Sequence, residues 1–158
     1  MKHLFVVRHG DYGYDHRINS YGHQQMKRLG EVIKQILNGS SAYLFTSTAP
    51  RALDSSQILA DQLTLSEFEE VSYLWSGPDS PPSGFYYKGG LIRVMELVAE
   101  RRDKADGLIM VTHFEVIEEF PSYFLKKEFE QDKQIGKISR GQAVHLDLEQ
   151  RTYQIFPK

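Results

Sequence analysis

Two arginines and two histidines of this chain each fall just beyond a short apolar run, a placement that suits chemistry on an anion. Arg8 and His9 follow Leu4 to Val7, Arg51 comes after Ala42 to Phe45 and a Thr-Ser-Thr-Ala-Pro turn, and His113 closes Gly107 to Thr112. A guanidinium offers a planar fork of donors that fits phosphate or carboxylate, and its charge-assisted bonds strengthen away from water. Two forks and two imidazoles at one sheet edge would therefore hold a dianion such as phosphate. Gly10, directly after the pair, allows a sharp turn and a close backbone approach to a ligand. Taken singly, Arg8-His9 also reads as a strand end with solvated charges. A metal is the competing use of paired histidines. It is disfavoured here, because no carboxylate cluster stands at ligand spacing and two arginines would repel a cation. No metal and no cofactor are expected.

The elements that would position these residues follow from apolar spacing. Leu4 to Val7, Ala42 to Phe45 and Gly107 to Val111 read as buried strands. Met26, Leu29, Val32, Ile33, Ile36 and Leu37 recur at helical spacing, predicting a helix over 21–37 with Asn19 or Ser20 as its cap and Asn38-Gly39-Ser40 as its stop. A second helix starts at Pro50 and runs to Leu63, a third runs from Gly89 or Gly90 to Asp103, and a fourth from Val116 to Lys126 contains Pro121. On the third, Arg93, Glu96, Glu100 and Arg101 read as ordinary solvated charge. Glu67 to Leu74 is a weak third strand with imperfect alternation. Trp75 to Gly84 holds three of the six prolines and reads as a loop over a site. Gly141 to Leu148 and Tyr153 to Phe156 pair as a hairpin. Strand, loop and helix in alternation argue an α/β protein with a mainly parallel sheet, whose strand ends share one edge and bring Arg8, His9, Arg51 and His113 into one crevice.

The composition fits that picture. At 158 residues the chain suits one domain spanning 1–158, with 41% hydrophobic and 25% charged residues. A net charge of −2 gives no electrostatic reason to expect nucleic acid or an anionic membrane as partner. The absence of cysteine removes disulfides, thiolate catalysis and cysteine-ligated metals. Met1-Lys2 leads straight into the first strand, with no long apolar leader and no membrane-length run, so a cytoplasmic location is expected.

With Arg8-His9-Gly10 after one strand, Thr46-Ser47 and Arg51-Ala52 after another and His113 after a late one, the chain resembles the histidine phosphatase superfamily, or phosphoglycerate mutase-like fold, from Leu4 to about Ile117. Within it the chain is most similar to small bacterial phosphohistidine phosphatases, which share its length, an aspartate after Arg-His-Gly and the lack of a large capping insertion. Asp15 stands where that group also places an aspartate. Ile18 to Gly22 looks like the family's Leu-Thr-x-x-Gly helix start, with Asn19 for threonine. The resemblance implies a three-layer α/β/α sandwich and a phosphatase acting on phosphomonoesters or phosphohistidine. In it His9 attacks phosphorus, Arg8, Arg51 and His113 hold the oxygens, and water later releases phosphate; the partner is a phosphorylated small molecule or phosphoprotein. His9 must be neutral at its attacking nitrogen, so its other nitrogen should donate to a backbone carbonyl near Gly10. Asp15 and Ser47 are further substrate-binding candidates, although Ser47 also reads, preferentially, as a helix cap.

Two departures stand out. Glu115 follows the second histidine and would repel an anionic substrate. The glutamate expected after the third strand as general acid is missing, which leaves Glu69, Glu70 and Asp79 in reach, with Asp79 chosen. A phosphoramidate, whose imidazole can leave already protonated, depends less on such an acid. His16 and His23 lie near enough in sequence to rim the site, while His3 and His145 read as surface or strand residues. The alternatives are a catalytically weak, phosphate-binding regulatory domain and a small-metabolite mutase.

Overall fold

The computed structural model describes residues 1–85 and 89–158. In chain order the elements are β1 (His3–Arg8), α1 (Ser20–Leu37), β2 (Ala42–Thr46), α2 (Pro50–Leu63), β3 (Glu69–Glu70), α3 (Gly90–Ala99), β4 (Gly107–Thr112), α4 (Phe114–Glu128), β5 (Ala143–Asp147) and β6 (Thr152–Phe156). The strands form one sheet in the order β3-β2-β4-β1-β5-β6, in which β3, β2, β4 and β1 are parallel and β5 and β6 pair antiparallel.

Both faces of this sheet are covered, which explains why its central strands read as unbroken apolar runs rather than alternating ones. Leu4 and Val6 of β1 and Leu108 and Met110 of β4 pack on one side with Val94, Leu97, Phe120 and Phe124 from α3 and α4. Phe5, Val7, Ile109 and Val111 face the other way, onto Met26, Leu29, Ile33 and Leu59 from α1 and α2. The result is the α/β/α sandwich. Each large apolar side chain taken fully out of water contributes about 1.5–3 kcal/mol, so the paired layers hold the strand ends in place.

Three expectations need correction. The strand over Glu67 to Leu74 shrinks to Glu69–Glu70, followed by a single 3-10 turn at Ser72–Leu74. A tight turn tucks Tyr73 and Leu74 together into the core, which an alternating strand would not do. Helix α3 stops at Ala99 instead of Asp103, and the chain continues in three-residue turns, with the Arg102 amide donating to Ala99 and the Lys104 amide to Arg101. Arg101 is also not solvated. It is 9% exposed, donates to Leu97 O at 2.8 Å and forms a two-pronged ion pair with Glu69 at 2.8 and 2.5 Å. Pro121 lies inside α4.

Candidate active site

The register of the sheet decides what meets at its carboxyl edge. Arg8 lies opposite Thr112 and Thr46 opposite Val111, so the residues that follow, His9, His113 and Ser47, emerge side by side. The edge is closed by backbone bonds from His9 N–H to Thr112 O at 3.2 Å and from Ser47 N–H to Val111 O at 3.0 Å. The turn after His9 then packs against the start of α1. A Cβ on Gly10 would stand 2.8 Å from Gly22 O, and one on Gly22 only 2.1 Å from Asp11 O, so both positions need glycine for close backbone approach. Asn19 welds this junction: its side-chain oxygen accepts the Gly22 N–H at 2.8 Å as the helix cap, and its amide donates to Asp11 Oδ2 at 2.7 Å.

His9 is 3% exposed, and its Nδ1 lies 2.8 Å from Gly10 O. A carbonyl oxygen only accepts, so Nδ1 carries the proton and Nε2 keeps its lone pair. Burial, opposed by the Gly10 bond and reinforced by the charges of Arg51, Arg8 and Arg140, pushes the His9 pKa down to about 3. The ring is therefore neutral near pH 7. His113 lies with its ring centre 5.0 Å from that of His9, and its pKa is pushed well below the ordinary range by burial, His9, Arg51 and Arg8. Its Nε2 meets Ser47 Oγ at 2.7 Å, while its buried Nδ1 has no partner. Ser47 Oγ also accepts the Ala49 N–H at 3.2 Å. It thus both caps the turn and touches the second histidine, whereas the residue preceding α2 is Ala49.

Around these rings the chain lines a cavity of about 260 Å³, large enough for a phosphoryl group and part of what carries it. Arg8 donates to Ile138 O at 2.8 Å and lies 4.9 Å from the centre of the Phe114 ring. Arg51, 5% exposed, crosses the Tyr12 ring at 5.0 Å and grips Asp79 with both terminal nitrogens, at 2.9 and 3.3 Å. Burial acts to raise the Asp79 pKa, but hydrogen bonds from Arg51 and Trp75 and the Arg51 charge outweigh it and hold the carboxyl below its ordinary value. In this arrangement Asp79 is ionised and carries no proton to donate. Glu115 also lines the cavity and accepts the Ser76 hydroxyl at 2.7 Å. His16 reaches the cavity too.

Other candidates lie elsewhere. Asp15 is exposed and accepts the Arg17 N–H at 3.1 Å, outside the cavity lining. His23 is exposed on α1, and Glu69 sits on the edge strand with Arg101. Sequence reasoning missed Tyr12, Phe114 and Arg140 among the residues that line the cavity. Arg140 lies over the Tyr12 ring at 4.4 Å and is held by Asp11 Oδ1 at 2.5 Å. Hydrogen bonds from Asn19 and Arg140 keep Asp11 below the ordinary carboxylate range. The signal for Arg140 lay in β5: an antiparallel neighbour of β1 begins where β1 ends, so the residues before Ala143 return to the site. Gly141, with φ +73°, makes that return, donating to the carbonyls of Arg8 and His9. Among the described residues, three metal-ligating side chains lie within 4.8 Å of one another only at His3, His145 and Asp147. That group stands at the opposite end of β1, roughly 20 Å from His9 at about 3.3 Å per strand residue.

No protein-family model and no curated protein sequence matches the chain. Solved structures do. The chain is similar to the protein histidine phosphatase SixA complexed with tungstate, at 16% identity and a TM-score of 0.67, over 98% of this chain and 94% of that one. It matches a mycobacterial glucosyl-3-phosphoglycerate phosphatase at 16% identity and a TM-score of 0.67, covering 98% and 97% of the two chains. It also matches a phosphoglycerate mutase from Plasmodium falciparum at 18% identity and a TM-score of 0.59, over 99% and 89%. Among the described residues no helix is long and apolar enough to cross a membrane. The chain has the phosphoglycerate mutase-like α/β/α fold that these structures share.

Proposed function

We propose that this single domain is a metal-independent phosphatase, hydrolysing phosphomonoester or phosphohistidine substrates through a phosphohistidine formed on His9. One observation carries the reading. Of the four buried side-chain polar atoms without a partner among the described residues, three are Arg8 Nε, Arg51 Nε and His113 Nδ1, all on residues lining the cavity. Each unpaired buried group costs about 1–3 kcal/mol, and an oxyanion would satisfy them together. Two of the similar structures are complexes with tungstate and with VO3, oxyanions of the kind this cavity suits.

In this reading the His9 Nε2 lone pair attacks phosphorus, while Nδ1–H stays on Gly10 O. Arg8, Arg51 and His113 hold the oxygens, with Ser47 steadying His113. The bond from phosphorus to the leaving group breaks. An imidazole leaves already protonated, and an alkoxide takes its proton from water. Water then attacks the phosphorylated His9, yielding inorganic phosphate, one proton and neutral His9. The substrate is a phosphorylated small molecule or a phosphoprotein, and the cytoplasmic location expected from the sequence belongs to the same reading.

The ionised state of Asp79, which leaves no proton there for a leaving group, favours a second reading, a catalytically weak phosphate-binding domain. Hydrolysis of an aryl phosphate and of a phosphohistidine peptide, in chelator, separates the two. A loss on the order of a thousandfold or more in His9→Ala supports the phosphatase, and equal rates refute it.

A further inference from the structure

Glu115 occupies an unusual place for an acid. It lies in the first turn of α4, two positions after His113, in the cavity that His9, Arg8 and Arg51 also line. Two features accommodate a carboxylate there. The amino end of a helix favours a negative charge, and the Ser76 hydroxyl, on a residue 1% exposed, donates to its Oε2 at 2.7 Å. Ser76 belongs to the same short segment as Asp79, so one loop fixes both carboxylates. Gly77 stands between them at φ +118°, where an added Cβ would lie 3.3 Å from Asp79 Oδ1 and 3.7 Å from Glu115 Oε1.

The charges are layered. The Arg51 side chain is 6% exposed and that of its partner Asp79 is 37% exposed, while Glu115 is half-buried. On the far side Arg140 is balanced by Asp11. Arg51 lies deepest, where a phosphoryl group would sit, and the carboxylates of Asp79 and Glu115 are both more exposed than it, where whatever carries the phosphoryl group would sit. Arg51 holds Asp79 with two hydrogen bonds, whereas Glu115 accepts one, from the Ser76 hydroxyl, and faces the charge of Arg8 without an ion pair to it.

We propose that Glu115, held by Ser76, is a specificity-determining residue that selects phosphoryl groups carried on a positively charged group, whether a protonated nitrogen bonded to phosphorus or an ester bearing an ammonium. The inference rests on the phosphatase reading of the same cavity. A carboxylate near a protonatable nitrogen raises its pKa, so Glu115 would keep a P–N leaving group protonated up to the moment its bond to phosphorus breaks. The same carboxylate repels a leaving group that is itself anionic. Sequence alone made Glu115 look like damage to a phosphate site; its position makes it a charge filter beside one.

A series of simple substrates tests this: aminoethyl phosphate, glycerol phosphate, 3-phosphoglycerate and phosphoramidate, compared by kcat/KM in the unaltered protein and in Glu115→Gln. The first and last should be preferred, and E115Q should narrow the preference for aminoethyl phosphate over 3-phosphoglycerate by about tenfold or more, partly by raising the rate on the latter. Glu115→Asp should retain part of the preference. A merely structural role would lower all four rates together, and that outcome, or an unchanged ratio, overturns the proposal while leaving the phosphatase in place. Titration of the same four compounds into His9→Ala by calorimetry separates binding from turnover. The charge order in binding without hydrolysis by the unaltered protein supports the filter and removes the phosphatase. Binding with no charge order, or no binding at all, overturns the filter.

Discussion

His9 Nδ1 lies 2.8 Å from the carbonyl oxygen of Gly10, and this contact decides which nitrogen of the ring is free. Because the oxygen can only accept, Nε2 keeps its lone pair for the attack in the proposed reaction, and burial keeps it unprotonated. Nitrogen chemical shifts should show His9 neutral, with the proton on Nδ1, throughout pH 5–8. A ring that titrates near pH 6.5 would contradict the assignment.

The same burial makes stability fall in acid. His9 and His145 have pKa values of about 3 and about 4 in the folded chain, against 6.5 when unfolded, and His113 is also well below 6.5. Below pH 6.5 the unfolded chain therefore binds more protons than the folded one. The stability these rings hold is complete above pH 6.5 and is lost as pH falls from 6.5 towards 3. Urea midpoints should drop between pH 7.5 and pH 5, and an unchanged midpoint would mean that these histidines charge freely in the folded protein.

Gly22 carries the junction between the His9 turn and α1. Gly22→Ala places a carbon where Asp11 O already stands, 2.1 Å away, and should cost about 1–3 kcal/mol in denaturant unfolding. Inorganic phosphate should also bind more weakly, because Asp11 and the turn must shift. Gly39, which has nothing within 4 Å of an added Cβ but φ +86°, serves as the control: substitution there should affect stability alone.

Asp79 competes with phosphate for Arg51. Asp79→Asn should tighten binding of inorganic phosphate several-fold in calorimetry, since Arg51 no longer gives up an ion pair. Arg51→Ala should abolish that binding. If D79N bound phosphate more weakly, Asp79 would be orienting Arg51 rather than competing for it.

Arg101 provides the structural contrast. Arg101→Met breaks its pair with Glu69 outside the cavity lining and should cost about 1 kcal/mol, given that Glu69 is partly exposed. Phosphate binding should not change. A change in binding would couple the β3 edge to the site.

What could be read from the sequence followed one rule, and what could not followed from its limits. The apolar runs ending in Arg8 and Thr112 announced both buried strands and the side chains beyond them, because a strand covered on both faces leaves a signal that needs no partner. Asn19 was legible for a similar reason, since a cap is local. Arg140 was hidden because it precedes an antiparallel strand, so it reaches the edge from the opposite direction. Arg101 looked solvated because its pairing with Glu69 joins elements 32 positions apart. Asp15 came from a resemblance, and the turn fixed by Gly13 and Arg17 carries it outside the cavity lining.

The phosphorylated intermediate is the most direct test. After brief incubation with a phosphohistidine peptide and rapid quenching under alkaline conditions, mass spectrometry should find one phosphoryl group, on His9, attached through Nε2 and absent from His9→Ala. Turnover with no phosphoryl group on His9, or with the label on another residue, would contradict the account.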